Sequence, residues 1–152
     1  MRVVVTGANR GIGLELVRQL LARGEVVHAC ARELEHANEL RALATDRLHL
    51  HALDVTAPAS VQILGNALKD TPIDVLFNVA GVYGGNRQSI EQMAPDLELP
   101  DVLNTFDVNA AGALRVSLAG TTSDGGSAEK TGESVEIAEI VSGPWPTLET
   151  SR

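Results

Sequence analysis

Two periodicities alternate along the first 118 residues, one of strands and one of helices. Arg2 to Val5 is a short β-branched run of the kind that forms a buried parallel strand. From Gly11 onward apolar residues recur at 12, 16, 17, 20 and 21, which is a helical stripe. Val26-Val27-His28-Ala29-Cys30-Ala31 reads as a second strand ending at Arg32. Residues 34 to 44 read as a short helix whose contact face is Leu34, Ala37, Leu40, Arg41 and Leu43. Arg47 to Leu53 alternates as a third strand and runs into Asp54-Val55. Thr56 reads as an N-cap with Pro58 in the first turn, and Val61, Leu64, Ala67 and Leu68 give the next helix its face. Ile73 to Phe77 is the fourth strand.

Beyond Gly81 the pattern loosens. Tyr83-Gly84-Gly85-Asn86 reads as loop and residues 88 to 94 as a short helix. A longer helix is predicted from Asp101 to about Leu118, with Val102, Phe106, Asn109, Ala113 and Val116 as its buried stripe, widened by Leu103, Ala110 and Leu114. Asn109 is a polar amide on an apolar face, either a satisfied core amide or a functional group. Residues 119–134 are small and polar and read as linker or disorder, and within the divergent tail 135–152 only Val135 to Val141 has strand character. The predicted fold is therefore an open, parallel α/β sheet in strand order 3-2-1-4 with helices on both faces, ending after four to five strands. Its fourth strand is expected to be an exposed edge.

Composition narrows the classes. A chain of 152 residues with 44% apolar residues suits one globular domain, here residues 1–118. No apolar run reaches the roughly eighteen residues of a membrane span, and the chain starts directly in a strand, so the expectation is a cytoplasmic protein with no membrane partner. A net charge of −8 without a basic cluster argues against a nucleic-acid partner. Half of that charge falls after Leu118, where six acids face two bases. Cys30 reads as a buried small hydrophobe, and His49 and His51 as partly exposed residues on one strand face, with no metal site expected.

The chemistry concentrates at the first turn. Strand, glycine-rich turn and helix follow one another without a spare residue. Glycines let the backbone approach a pyrophosphate, and the helix start offers unpaired N–H groups and a positive dipole end. The alternative is a tight turn with no ligand. The strand-helix-strand unit from Arg2 to Arg32 spans about thirty residues, the size of a mononucleotide-binding half. At the end of its second strand an acid would accept from an adenosine 2′-OH, whereas an arginine favours a 2′-phosphate. Arg32 stands there with Glu33 one place later, and Arg10 adds a second cation, so NADP(H) is favoured over NAD(H).

The segment Thr6-Gly7-Ala8-Asn9-Arg10-Gly11-Ile12-Gly13 resembles the cofactor signature of the classical short-chain dehydrogenase/reductase family, whose fold is Rossmann-like. The resemblance implies cofactor contacts at Gly7, Asn9, Arg10, Gly11, Ile12 and Gly13, and Arg10 and Arg32 match the family's NADP-preferring pattern. Asp54-Val55 resembles the pair that binds the adenine ring, and Asn78-Val79-Ala80-Gly81 the exit at which Asn78, Ala80 and Gly81 let the chain pass close to the cofactor's ribose. Val108-Asn109-Ala110-Ala111-Gly112 resembles the segment bearing the family's catalytic asparagine, which distorts its helix and supports a lysine of the proton relay.

The family activity implied is hydride transfer between a nicotinamide and a small carbonyl or alcohol substrate. Its Tyr-x-x-x-Lys pair has no counterpart here. Tyr83 is the one tyrosine and is followed four residues on by Arg87, which makes it a pocket or loop residue, and Ser142-Gly143 matches the family's serine in poor register. The expectation is a truncated, catalytically silent nucleotide-binding chain. The alternatives are an oxidoreductase with a non-standard proton donor, or a regulatory partner or homo-oligomer docking through the exposed edge and the helix 101–118.

Overall fold

The computed structural model describes residues 1–83 and 98–119, together with the backbone of 136–139. Its strands are β1 (Arg2–Thr6), β2 (Val26–Ala31), β3 (Leu48–Ala52), β4 (Val75–Asn78) and β5 (Glu136–Glu139). The helices are α1 (Gly11–Ala22), α2 (Asn38–Arg41), α3 (Pro58–Leu68), α4 (Leu99–Phe106) and α5 (Ala113–Ala119), with a 3₁₀ turn at Leu34–His36 and a π-helical turn at Asp107–Gly112. The strands form one parallel sheet in the order β3-β2-β1-β4-β5. β1 can take the middle because Val3, Val4 and Val5 are apolar on both faces, and all three are buried. Its register is Val3 to Val27 on one side and Val3 to Val75 on the other.

Alternation along the strands builds two core layers. Val3, Val5, Val27 and Ala29 pack with Leu14, Val17 and Leu20 of α1 and Leu40 of α2. Val4, Cys30 and Leu76 pack on the opposite face with Val61 and Leu64 of α3 and Val116 of α5. Full burial of one such side chain contributes about 1.5–3 kcal/mol. Three of them therefore hold α1 to the sheet, although its N-cap residue Arg10 makes no side-chain capping bond.

Several expectations change. The exposed edge predicted at β4 is occupied: Glu136–Glu139 pairs with it from Val75 to Asn78, so β4 has ladder partners on both sides. The stripe of α1 runs through Leu14, Val17 and Leu20, while Ile12 is half exposed over the glycine turn. The helix predicted over 34–44 is split at the buried Ala37, whose ψ of 53° is not helical. Thr56 does not cap α3; Ala57 precedes Pro58 at the helix start, and the Thr56 hydroxyl turns back to Asp54. The long helix carries a π-helical turn that shifts its phase, so Val102, Leu103, Phe106 and Leu114 are exposed and, of the predicted stripe, only Val116 is fully buried. The linker predicted over 119–134 lies outside the described residues except for Ala119, the last residue of α5, as do the helix expected over 88–94 and Ser142-Gly143.

Candidate functional site

The turn after β1 is built by contacts that only glycine allows. Gly7 has φ +65°, and a Cβ there would stand 2.7 Å from Ala80 Cα; a Cβ on Gly13 would stand 2.3 Å from the Gly7 carbonyl oxygen. The exits of β1 and β4 are thus pressed together, with the start of α1 seated on the turn. Thr6 locks this arrangement. Its Oγ1 accepts from the Val79 and Ala80 N–H groups at 3.0 and 3.1 Å and donates to the Phe77 carbonyl at 3.4 Å. The Ala8 N–H donates to the Cys30 carbonyl at 3.0 Å and ties the turn to β2.

The mouth of the turn, by contrast, is open. Gly11, φ +54°, has nothing among the described residues, beyond its own neighbours and helix backbone, within 4 Å of where a Cβ would stand. The bond from Leu14 N–H to the Arg10 carbonyl, 3.2 Å, opens the ladder of α1, which leaves the N–H groups of Gly11, Ile12 and Gly13 ahead of it. Arg10, extended at φ −160°, and Asn9 stand on this rim, with Arg10 exposed. Open space at Gly11, donors, a helix dipole and a cation coincide, which fits an anionic group.

At the exit of β2 the Arg32 side chain is 71% exposed, with Nε 3.9 Å from Glu33. Glu33 is directed instead to His36, at 2.9 Å, and that bond holds its carboxyl below the usual range while raising the imidazole. At the exit of β3, Asp54 Oδ1 accepts from the Thr56 hydroxyl at 2.6 Å and the Thr56 N–H at 2.9 Å. The hydroxyl above all keeps this carboxyl below its ordinary value against partial burial, helped by the Thr56 N–H and by Arg32. Both bonds use Oδ1, so among the described residues Oδ2 remains for a donor such as an adenine amino group. Val55 is buried against Gly112, where a Cβ would come within 2.7 Å of Val55 Cγ2.

Asn78 at the end of β4 is buried and donates to Ser117 Oγ at 3.2 Å, while its Oδ1 is, among the described residues, the buried side-chain atom left without a partner. Ala80 and Gly81 continue the wall. Asn109, in the π-helical turn, grips the next residue at two points: Oδ1 accepts from the Val82 N–H at 2.8 Å and Nδ2 donates to the Val82 carbonyl at 2.9 Å. The amide is therefore satisfied, but by the strand-exit loop and not by the apolar core. Tyr83 follows in the loop, half exposed.

Sequence reasoning missed Thr6 as the lock of the turn, Ser117 as the partner of Asn78, and Arg115, whose guanidinium reaches both Asp107 and Val55. The signal for Thr6 was its place at a strand end before glycine. Nothing local marks the other two as parts of the site, because Ser117 meets Asn78 39 residues away and Arg115, besides Asp107, meets Val55 60 residues away. His28 joins His49 and His51 on the strand face predicted for the latter two, with Nδ1 of His28 3.0 Å from Nε2 of His51. Among the described residues no group of histidines, cysteines and acids is arranged to hold a metal ion, and no helix is long and apolar enough to cross a membrane.

The exits of β1 to β4 lie together at the carboxyl ends of parallel strands, and the glycine turn opens where the strand order reverses between β1 and β4. That geometry defines the class of dinucleotide-binding α/β domains. Within it the chain belongs to the short chain dehydrogenase family, whose pattern matches residues 1–141. It is 37% identical over 121 residues to the uncharacterized oxidoreductase YusZ of Bacillus subtilis, covering 75% of this chain and 40% of that protein. It is 33% identical over 118 residues to an NADPH-dependent 1-acyldihydroxyacetone phosphate reductase of Saccharomyces cerevisiae, covering 74% and 38%. Its fold superimposes with a TM-score of 0.66 on a Burkholderia multivorans short-chain dehydrogenase/reductase with bound NADP, at 28% identity over 78% of this chain and 51% of that one. The chain spans 29% to 40% of the length of these and similar curated relatives.

Proposed function

We propose that residues 1–119 form the NADP(H)-binding part of a short-chain oxidoreductase acting on a small carbonyl or alcohol. Gly7, Asn9, Arg10, Gly11, Ile12 and Gly13 take the pyrophosphate; Arg32 and Arg10 take the 2′-phosphate. Asp54 and Val55 take the adenine, and Asn78, Ala80 and Gly81 the ribose beside the nicotinamide. The single observation that carries NADP(H) over NAD(H) is the division at the exit of β2, where Glu33 is engaged by His36 and Arg32 stands exposed. The NADPH dependence of the yeast relative and the NADP bound in the Burkholderia structure support the same preference.

When bound, the nicotinamide supplies the hydride. What these residues supply is orientation: the Thr6 lock and the Asn109 grip fix the loop 79–82 on which the nicotinamide end would lie. Hydride transfer also needs a group that exchanges the hydroxyl proton, and the 152 residues hold no Tyr-x-x-x-Lys pair. The proposal is therefore binding without turnover by this polypeptide alone. Isothermal titration with NADPH and NADH tests the first part, and tighter binding of NADH would sink it. Arg32→Ala is expected to weaken NADPH about tenfold to a hundredfold, the worth of a charge-assisted contact, and NADH little. Following NADPH at 340 nm with a panel of ketones and aldehydes tests the second, and enzyme-dependent oxidation that disappears in Asn109→Ala would overturn it.

A further inference from the structure

Arg115 lies outside the nucleotide cleft, yet its side chain touches two of the segments that shape it. It stands in α5, three residues past the end of the π-helical turn that carries Asn109. Nη2 is 2.5 Å from Oδ1 of Asp107, the first residue of that turn, and Nη1 donates at 3.2 Å to the carbonyl of Val55. Both side chains of the ion pair are about a third exposed, so water screens their attraction only in part. Val55 is held from the other side by Gly112, the last residue of the same turn. The opposite wall is held by Asn109, through both polar groups of Val82.

The π-helical turn is thus a strut: one end grips the loop after β4, the other the loop after β3. We infer that Arg115 is a positioning residue that sets the Asp54-Val55 wall against the Asn109 turn, and so fixes the adenine end of the cleft without touching nucleotide. The planar fork of a guanidinium is what this place requires, since two donors diverge from one carbon to two acceptors on different segments. A lysine ammonium keeps the charge opposite Asp107 but cannot hold both acceptors in that plane.

The inference rests on the nucleotide-binding reading, and the test separates the two. 2′,5′-ADP, which carries the adenine and 2′-phosphate but no nicotinamide, is titrated into the full chain and its variants, with thermal melting recorded in parallel. Arg115→Lys is expected to melt close to the parent chain yet bind 2′,5′-ADP about fivefold to tenfold more weakly, less than the full worth of a charged hydrogen bond because the residue acts through Val55. Arg115→Met loses both contacts and is expected to lose affinity further and to melt lower. Asp107→Asn keeps the acceptor and is expected to leave affinity within about twofold. Undiminished binding in Arg115→Lys overturns the inference while the nucleotide reading stands. Recovery of melting and affinity together in Arg115→Lys makes the residue merely structural and overturns it as well. Failure of the parent chain to bind 2′,5′-ADP removes the nucleotide reading and the inference with it.

Discussion

The glycine turn and the Asn109 turn both hold the loop after β4 and are specified in opposite ways. The first is written into eight consecutive residues, Thr6 to Gly13: positive φ at Gly7 and Gly11, a contact at Gly13 with no room for a Cβ, and one hydroxyl that closes the loop. The second depends on partners far away in sequence, because Asn109 reaches back 27 residues to Val82 and Arg115 reaches 60 to Val55. Local geometry made by backbone contact tolerates no side chain at all. Geometry made by distant hydrogen bonds degrades by one bond at a time.

Gly13→Ala is the sharpest way to break that comparison. Its methyl would stand 2.3 Å from the Gly7 carbonyl oxygen and 3.1 Å from Ala8 Cα, all backbone, so the start of α1 must move away from the turn. Overpacking against rigid atoms costs about 1–3 kcal/mol or more, and the displaced helix start no longer aims its N–H groups at an anion. A clear drop in melting temperature with NADPH binding lost at least about a hundredfold is expected. Gly11→Ala is the control: its φ of +54° strains an alanine by about 1 kcal/mol, but among the described residues nothing beyond its own neighbours and helix lies within 4 Å, so affinity should fall with little change in folding. Equal stability losses in the two variants would show that packing at Gly13 is not what shapes the turn.

Asn109→Ala comes next. It removes two hydrogen bonds to Val82 and leaves the Val82 N–H and carbonyl to find water, a loss of about 2–3 kcal/mol by denaturant titration. Asn109→Asp keeps the acceptor for the N–H but sets a carboxylate against the carbonyl. Compared with the parent chain at the same pH, it is expected to be less destabilised below the carboxyl pKa, where the added proton can be donated, than at neutral pH. A pH-independent difference between these variants would mean that the carbonyl bond contributes nothing.

The legibility of the sequence divides along the same line. The strand order, the two-sided core and the turn around Gly7 to Gly13 were readable, since period-two and helical patterns report burial and glycine reports backbone shape. β2 falls on Val26–Ala31 as predicted because Val26, Val27, Ala29, Cys30 and Ala31 are apolar and His28 alone breaks the run. The stripe of the long helix was misread because an even helical period was assumed through Asn109, where the π-helical turn inserts its extra residue. Ala37 was placed inside a helix because its side chain is apolar; its backbone angle instead ends the 3₁₀ turn. Pairing of residues 136–139 with β4 joins positions 61 apart, which no local pattern encodes.

The histidine cluster provides a smaller effect on the third strand's side of the sheet. His28, nearly buried, is pushed down to about 4 by burial first and then by His51, His49 and Arg2. Its unfolded value is near 6.5, so above that pH both states are neutral and stability is full. As pH falls below 6.5 the unfolded chain takes up a proton that folded His28 refuses, and stability declines until about 4. His51, also lowered by burial and His49, acts in the same direction. Allowing for the solvent near exposed His49, the decline is about 1–2 kcal/mol for His28. Denaturant midpoints between pH 7 and 4 for the parent chain and His28→Phe test it; a variant with an undiminished slope would remove His28 as the source.

The smallest effect separates the two edges of the proposed phosphate pocket. His36 is exposed, and its bond to Glu33 raises its own pKa above 6.5 while lowering that of Glu33. The stabilisation of the imidazolium is complete below pH 6.5 and disappears as pH rises through the raised value; the carboxylate counterpart is present above pH 4.5 and disappears toward acid. On the alkaline side Glu33 loses its cationic partner, and a carboxylate 3.9 Å from Arg32 competes for the cation that a 2′-phosphate needs. The NADPH-to-NADH affinity ratio is therefore expected to fall by about twofold between pH 6 and 9, a size set by solvent screening of surface ion pairs. Glu33→Gln should flatten that dependence and raise the ratio at high pH, whereas Arg10, which lies on the glycine turn and has no such pair among the described residues, should keep its contribution across the range. A ratio that still falls in Glu33→Gln would show that the Glu33–His36 pair is not its source.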